Sequence, residues 1–138
     1  MAAFLFMDAI NAGKPIKVFN NGEMMRDFTY IDDVVTSIVA LVNKSGALAS
    51  MCGNAPYKVY NIGNNHPEKL LDFITLLEEF SGKKAIMELL PLQPGDVPAT
   101  FADIDDLVKD TGVKPETSLR VGLEHFVKWW TEYHSRHN

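Results

Sequence analysis

Three short segments of this chain combine residue types that can grip an anion or a sugar. The first is GEMMRDFTYIDDV, where a turn delivers Arg26 immediately before a strand that leads into a helix start. An arginine presents a fixed fork of N–H donors that matches phosphate oxygens, and the dipole of a nearby helix N-terminus adds attraction. The same residue also reads as a surface arginine paired with Asp27, Asp32 or Asp33, an arrangement that contributes about 0–1 kcal/mol. The second segment is YNIGNNHP, in which Asn61 stands where a strand ends, a place where open sheets commonly bind ligands. Its amide can donate to a phosphate or ribose oxygen, whereas Asn64 and Asn65 read as turn and cap residues. In the third, LQPGDVPAT, Gly95 allows close backbone approach and the Asp96 carboxylate can accept from a ribose diol; taken alone, it is an ordinary proline turn. Phe19 and Tyr30 can stack on a base, although an aromatic side chain at a strand end more often joins the core.

Several kinds of chemistry lack their residues altogether. The sequence has no Gly-x-x-Gly-x-x-Gly loop after a strand, no P-loop, and no tyrosine followed four residues later by lysine. No catalytic or cofactor-binding residue is therefore assigned. Of the four histidines, His134 and His137 sit near the terminus, His125 lies within a helix and His66 starts one. They form no triad. The single cysteine, Cys52, has no internal disulfide partner, and no Cys/His cluster has zinc-ligand spacing, so no metal is implied.

Thirteen basic against eighteen acidic residues leave a net charge of −5, which argues against a broad nucleic-acid footprint while leaving room for one local anion site. No stretch reaches the roughly 20 apolar residues of a membrane span, and the N-terminal MAAFLFMDAINAGKP lacks the basic leader and cleavage pattern of a signal peptide. A cytoplasmic protein with no membrane partner is expected. With 138 residues and 46% hydrophobic content, the chain can bury one core.

The elements that must position these segments can be read from periodicity. Helical spacing of Phe4, Leu5, Met7, Ala9 and Ile10 predicts a first helix running to Asn11 and stopped at Gly13. It starts so near Met1 that further chain upstream in a parent protein is expected. Ile16–Phe19 suits a strand, Asn20-Asn21-Gly22 a turn, and Asp27–Ile31 a second strand. Asp32 or Asp33 then caps a helix with the apolar stripe Val34, Val35, Ile38, Val39 and Val42, ending near Gly46. Ala47–Pro56 reads as a loop and Tyr57–Ile62 as a half-buried strand. Asn65 and Glu68 have capping-box spacing before a helix carrying Leu70, Leu71, Phe73, Ile74, Leu77 and Phe80 and closed by Gly82. Ala85–Leu89 is a strand, residues 90–100 an irregular loop, and Ile104–Asp110 a short helix ended by Gly112. Ser118 opens a last helix with Val121, Leu123, Phe126, Val127 and Trp130 inward. The fold class is α/β, a small α+β-like piece of about five helices and three or four short strands, forming a single domain over residues 1–138.

The order and spacing of RDFTYIDD, YNIG and QPGDVPAT, with Ala102-Asp103 following, resemble one family, the extended short-chain dehydrogenase/reductases of the NAD-dependent epimerase/dehydratase type. Within it the chain looks most like the C-terminal part of UDP-glucuronate 4-epimerases, and the closing KPETSLRVGLEHFVKWW resembles theirs too. The resemblance implies that Arg26 binds the diphosphate of a UDP-sugar, that Asn61 touches the diphosphate or ribose, that Asp96 holds ribose hydroxyls and that Phe19 lies near the uracil. Many relatives carry a second diphosphate-binding arginine where this chain has Gln93; glucuronate epimerases resemble it in carrying glutamine. A neutral amide suits a substrate that already adds a carboxylate. The resemblance also implies that the Rossmann domain holding NAD, and the Tyr/Lys pair of the parent isomerase, lie upstream. The fragment alone would then bind no NAD, turn over nothing, and self-associate as a homodimer through surface left exposed. The alternatives are a free-standing nucleotide-sugar-binding or protein-interaction module, or a fragment of a nucleotide-sugar dehydratase or of a UDP-galactose or UDP-xylose epimerase.

Overall fold

The computed structural model describes residues 2–51 and 57–137. Among them are five α-helices, α1 (Ala2–Asn11), α2 (Ile31–Met51), α3 (Leu70–Ser81), α4 (Asp105–Thr111) and α5 (Leu119–His137). Four short strands accompany them: β1 (Pro15–Val18), β2 (Met25–Asp27), β3 (Pro67–Lys69) and β4 (Ile86–Leu89). The α/β class expected from the sequence holds. β1 runs parallel to β4 with Ile16 opposite Met87 and Val18 opposite Leu89, and β2 pairs with β3. Parallel pairing demands a crossover rather than a tight turn, and α3 lies in the chain between β1 and β4.

The chain divides into two compact units. The first comprises Met1–Arg26, Glu68–Thr100 and Ser118–Asn138. Its core is built from helical stripes: Met7 and Ile10 of α1, Phe73, Ile74 and Leu77 of α3, and Leu119, Leu123, Val127 and Trp130 of α5 are all buried, with Ile16 and Val18 of β1 among them. The α5 set recurs at three- and four-residue steps, which keeps it on one side of the helix. Val121, expected inward, falls off that stripe and is exposed. Polar pins complete the packing. The Trp130 indole N–H donates to Asp8 Oδ1 at 2.9 Å, and Arg120 grips Glu79 through two N–H donors at 2.8 and 2.7 Å. Gly82 closes α3 in the left-handed region at φ 68°, its N–H returning to the Glu78 carbonyl.

The second unit comprises Asp27–Pro67 and Phe101–Thr117. Its apolar core is small: Ile104 at the N-cap of α4, Leu107 within α4 and Pro115 are buried, as is Ser37 of α2. Charged side chains do much of the joining. Lys44 Nζ donates to the last carbonyls of α4, at 3.3 Å from Asp110 O and 2.9 Å from Thr111 O, where cations suit the negative end of a helix. Lys58 reaches Asp106 and Asp110 at 3.0 and 2.6 Å, and the Tyr60 hydroxyl donates to Asp110 at 2.8 Å.

Several sequence expectations are corrected by this architecture. β2 covers Met25–Asp27 rather than Asp27–Ile31, and α2 already begins at Ile31. A strand extends only as far as its partner, and β3 has three residues. The capping box at Asn65 and Glu68 does not form: Glu68 lies in β3, and α3 opens at Leu70 without a side-chain cap. Strand pairing holds the backbone extended through Lys69 and delays the helix. Gly46 does not end α2, which continues to Met51, since one glycine inside a helix costs about 1 kcal/mol, less than its neighbours can offset. Residues 52–56 of the expected loop lie outside the described residues. Tyr57–Ile62 is irregular, because alternation assigns side chains to faces but a strand exists only where another supplies donors and acceptors. The α2 stripe is also turned outward: Val35, Ile38, Val39 and Val42 are exposed, Val42 to 65%, while Ser37 takes the buried side.

Candidate functional site

Arg26 stands on β2 with its side chain 24% exposed. Nη1 donates to the Met25 carbonyl at 2.8 Å and the Pro98 carbonyl at 3.3 Å. Nη2 meets Met24 Sδ at 3.9 Å and Asp96 Oδ1 at 2.8 Å. The two carbonyls hold the guanidinium without neutralising it, and Asp96 supplies the counter-charge.

Local chemistry explains why Asp96 arrives there. Gln93-Pro94-Gly95-Asp96 folds as a tight turn in which the Asp96 N–H donates to the Gln93 carbonyl at 3.1 Å. Gly95 sits at φ 85°, which a residue with a Cβ adopts only under strain, and proline before it suits the preceding turn position. The chain after the turn is then registered on β2. Met25 N–H donates to the Pro98 carbonyl at 2.8 Å, and Thr100 N–H to the Met25 carbonyl at 3.2 Å. Arg26 and the proline-rich loop, seventy residues apart in sequence, are thus placed together by backbone hydrogen bonds. Asp96 Oδ1 also accepts from Val97 N–H at 2.9 Å.

Phe19 and Gln93 belong to the same unit. Phe19 is half-buried in a 3-10 turn over Phe19–Gly22 whose Asn20 and Asn21 both adopt φ 50°. That turn is tied to the loop after β4 through Asn21 N–H and the Leu90 carbonyl at 3.0 Å. Gln93 is exposed, and its carbonyl is the one that closes the Asp96 turn.

Asn61 belongs to the second unit, where its amide donates to the Asp103 carbonyl at 3.2 Å. The loop after it is organised by Asp27, which the sequence offers only as a strand residue and a possible partner of Arg26. Asp27 Oδ1 accepts from Asn64 N–H at 3.1 Å, and Oδ2 accepts from Asn65 and Ala102 N–H at 3.0 Å each. The backbone packs so closely there that a Cβ on Gly63 would lie 2.4 Å from the Ala102 Cβ and 2.9 Å from Asp27 Oδ2. Asp33 plays a similar part, accepting from Thr117 N–H at 2.9 Å, and so ties α2 to the segment after α4 rather than capping its own helix. A backbone clamp of this kind leaves no periodic trace in a sequence. Burial and the Asp32 charge lift the Tyr30 phenol above its ordinary value. Among the described residues no group of three or more His, Cys, Asp or Glu is placed to hold a metal ion.

An arginine set among carbonyls beside a glycine turn, with a carboxylate at hydrogen-bond distance, can take an anion that also carries hydroxyls. Residues 2–63 match the NAD dependent epimerase/dehydratase family. The resemblance to this family read from the RDFTYIDD, YNIG and QPGDVPAT segments thus stands. Protein CapI of Staphylococcus aureus is 47% identical, with 99% of this chain aligned to 43% of that protein. A probable UDP-glucuronate 4-epimerase of Rhizobium meliloti (strain 1021) is 42% identical over 99% of this chain and 43% of its own length. The crystal structure of a UDP-glucuronic acid 4-epimerase from Bacillus cereus, in complex with UDP-glucuronic acid and NAD, superposes with a TM-score of 0.77 at 31% identity, covering 96% of this chain and 40% of that one. The chain therefore spans about two fifths of the length of the relatives it matches. No helix among the described residues is long and apolar enough to cross a membrane.

Proposed function

We propose that this chain is the C-terminal, nucleotide-sugar-binding part of an NAD-dependent 4-epimerase that interconverts UDP-glucuronate and UDP-galacturonate. The observation that carries the reading is the guanidinium of Arg26 held by two carbonyls and Asp96, together with relatives of that activity along the whole chain. Arg26 binds the diphosphate, Asp96 the ribose hydroxyls and Asn61 a diphosphate or ribose oxygen. Phe19 lies against the uracil, and Gln93 flanks the diphosphate as a neutral donor that leaves room for the glucuronate charge.

The Rossmann domain and the Tyr/Lys pair lie upstream in the parent. NAD bound there supplies reversible hydride transfer at the sugar C4. The residues of this chain offer no glycine-rich dinucleotide cradle, so their part is to hold and orient the UDP-sugar, and by themselves they turn over nothing. The site takes a UDP-sugar rather than nucleic acid, in keeping with the net charge of −5, and the parent works in the cytoplasm. The apolar face of α2, with Ile31, Val35, Ile38, Val39 and Val42 exposed at helical spacing, is covered by a second copy in the isolated chain. Sedimentation velocity reads that as a coefficient rising with concentration.

Calorimetric titration of UDP-glucuronate into the chain and into its Arg26→Ala variant tests the grip. A loss of about tenfold or more is expected for a charged hydrogen-bond donor. Equal affinity in both proteins removes Arg26 from the site.

A further inference from the structure

Nη2 of Arg26, one of the two terminal nitrogens a diphosphate would meet, already has an anionic partner. Of the four acceptors around its guanidinium, Met25 O, Pro98 O and Met24 Sδ are uncharged. The fourth, Asp96 Oδ1, lies 2.8 Å from Nη2 and is itself 35% exposed. A phosphate oxygen and a carboxylate crowded at one N–H donor repel each other, so an anion that takes the N–H facing Asp96 displaces the carboxylate. The two carbonyls are uncharged, so the guanidinium stays oriented while its ionic partner changes. Asp96 in turn sits on the exposed Gln93–Asp96 turn and keeps the Val97 N–H as a local donor at 2.9 Å.

We infer that Asp96 is a specificity-determining residue that competes with anions for Arg26 and yields more readily to a ligand that offers its carboxylate new donors. This rests on the reading of Arg26 as the diphosphate site. A bare pyrophosphate breaks the Arg26–Asp96 pair and leaves Asp96 without a replacement. A nucleoside diphosphate breaks the same pair but brings ribose hydroxyls that donate to the freed carboxylate. The exchange thereby favours nucleotide sugars over the inorganic anions that would otherwise occupy this half-buried arginine.

The test uses the 138-residue chain and measures pyrophosphate and UDP affinities at low ionic strength for the parent sequence, Asp96→Asn, Asp96→Ser, Arg26→Ala and the charge control Glu88→Gln on exposed β4. Asp96→Asn and Asp96→Ser should bind pyrophosphate about two- to fivefold more tightly, the range set by an exposed ion pair, while their preference for UDP over pyrophosphate falls. Glu88→Gln should leave both affinities in place. Pyrophosphate binding that is unchanged or weaker in both Asp96 variants, with native circular dichroism, overturns the exchange, as does an equal gain in Glu88→Gln. Arg26→Ala that still binds UDP normally overturns the underlying diphosphate reading instead, so the two failures are separable.

Discussion

The two units of this chain are held by different physics. In the first, three helices and a strand bury Met7, Ile10, Val18, Phe73, Leu77, Leu123, Val127 and Trp130 against one another, and the hydrophobic effect provides most of the cohesion. In the second, Ile104, Leu107 and Pro115 make a much smaller core, and single carboxylates stitch separate segments together: Asp27 through three backbone N–H groups, Asp33 through one, Asp110 through Lys58 and Tyr60. The second unit also leaves its longest helix with an apolar face exposed. A folded segment can thus be well ordered by hydrogen bonds while its hydrophobic pattern goes unsatisfied within its own unit.

The strongest way to break the contrast is in the first unit. Phe73→Ala should cost about 3–5 kcal/mol in urea denaturation, the usual effect of truncating a fully buried aromatic residue. Amide exchange should accelerate first in α1, α3 and α5; protection lost first in α2 and α4 would show that the hydrophobic core is not confined as described. Asp27→Ala should cost less, about 1–3 kcal/mol, because it strands backbone donors that the carboxylate satisfied. Its exchange signature should be concentrated at residues 63–65 and 101–103, and unaltered protection there would deny Asp27 its clamping role.

The smallest effect is electrostatic. Lys58, then Tyr60, holds the Asp110 carboxyl below its ordinary value of 3.8, and the side chain is only 6% exposed. A carboxylate depressed on folding stabilises fully above its unfolded value, and that contribution is lost as pH falls through the lower folded value. Lys58 is shifted upward by the same partners, Asp110 first, so its share persists through neutral pH and is lost only as strongly alkaline conditions deprotonate it. The melting temperature of the parent chain should therefore exceed that of Asp110→Asn near neutrality, and the gap should close in acid below that ordinary value. A gap that is constant with pH would mean the pair contributes nothing through its charge.

Much of the first unit was legible in the sequence because its helices carry their own signals. The Gly82 stop, the β1 and β4 runs and the α3 stripe all follow from spacing and backbone preference within a few residues. The site was legible in part. Arg26 and the Gly95-Asp96 turn stood out by residue type, but their 2.8 Å meeting depends on Met25 and Thr100 registering two distant segments. The missing strand at Tyr57–Ile62 and the uncovered apolar stripe of α2 share one reason: periodicity states which face is apolar, and says nothing about whether anything covers it.

The amino-acid sequence by itself determined the helices with stops and stripes, the glycine turns, the absence of a dinucleotide loop, and the family resemblance, since each resides in residues close together along the chain. Tertiary structure alone decided that Asp96 would occupy Arg26, that Asp27 would clamp the Gly63 loop, and that α2 would turn its valines outward. Those outcomes depend on which groups meet across long sequence separations, where backbone hydrogen bonds and packing, rather than local preference, choose the partner.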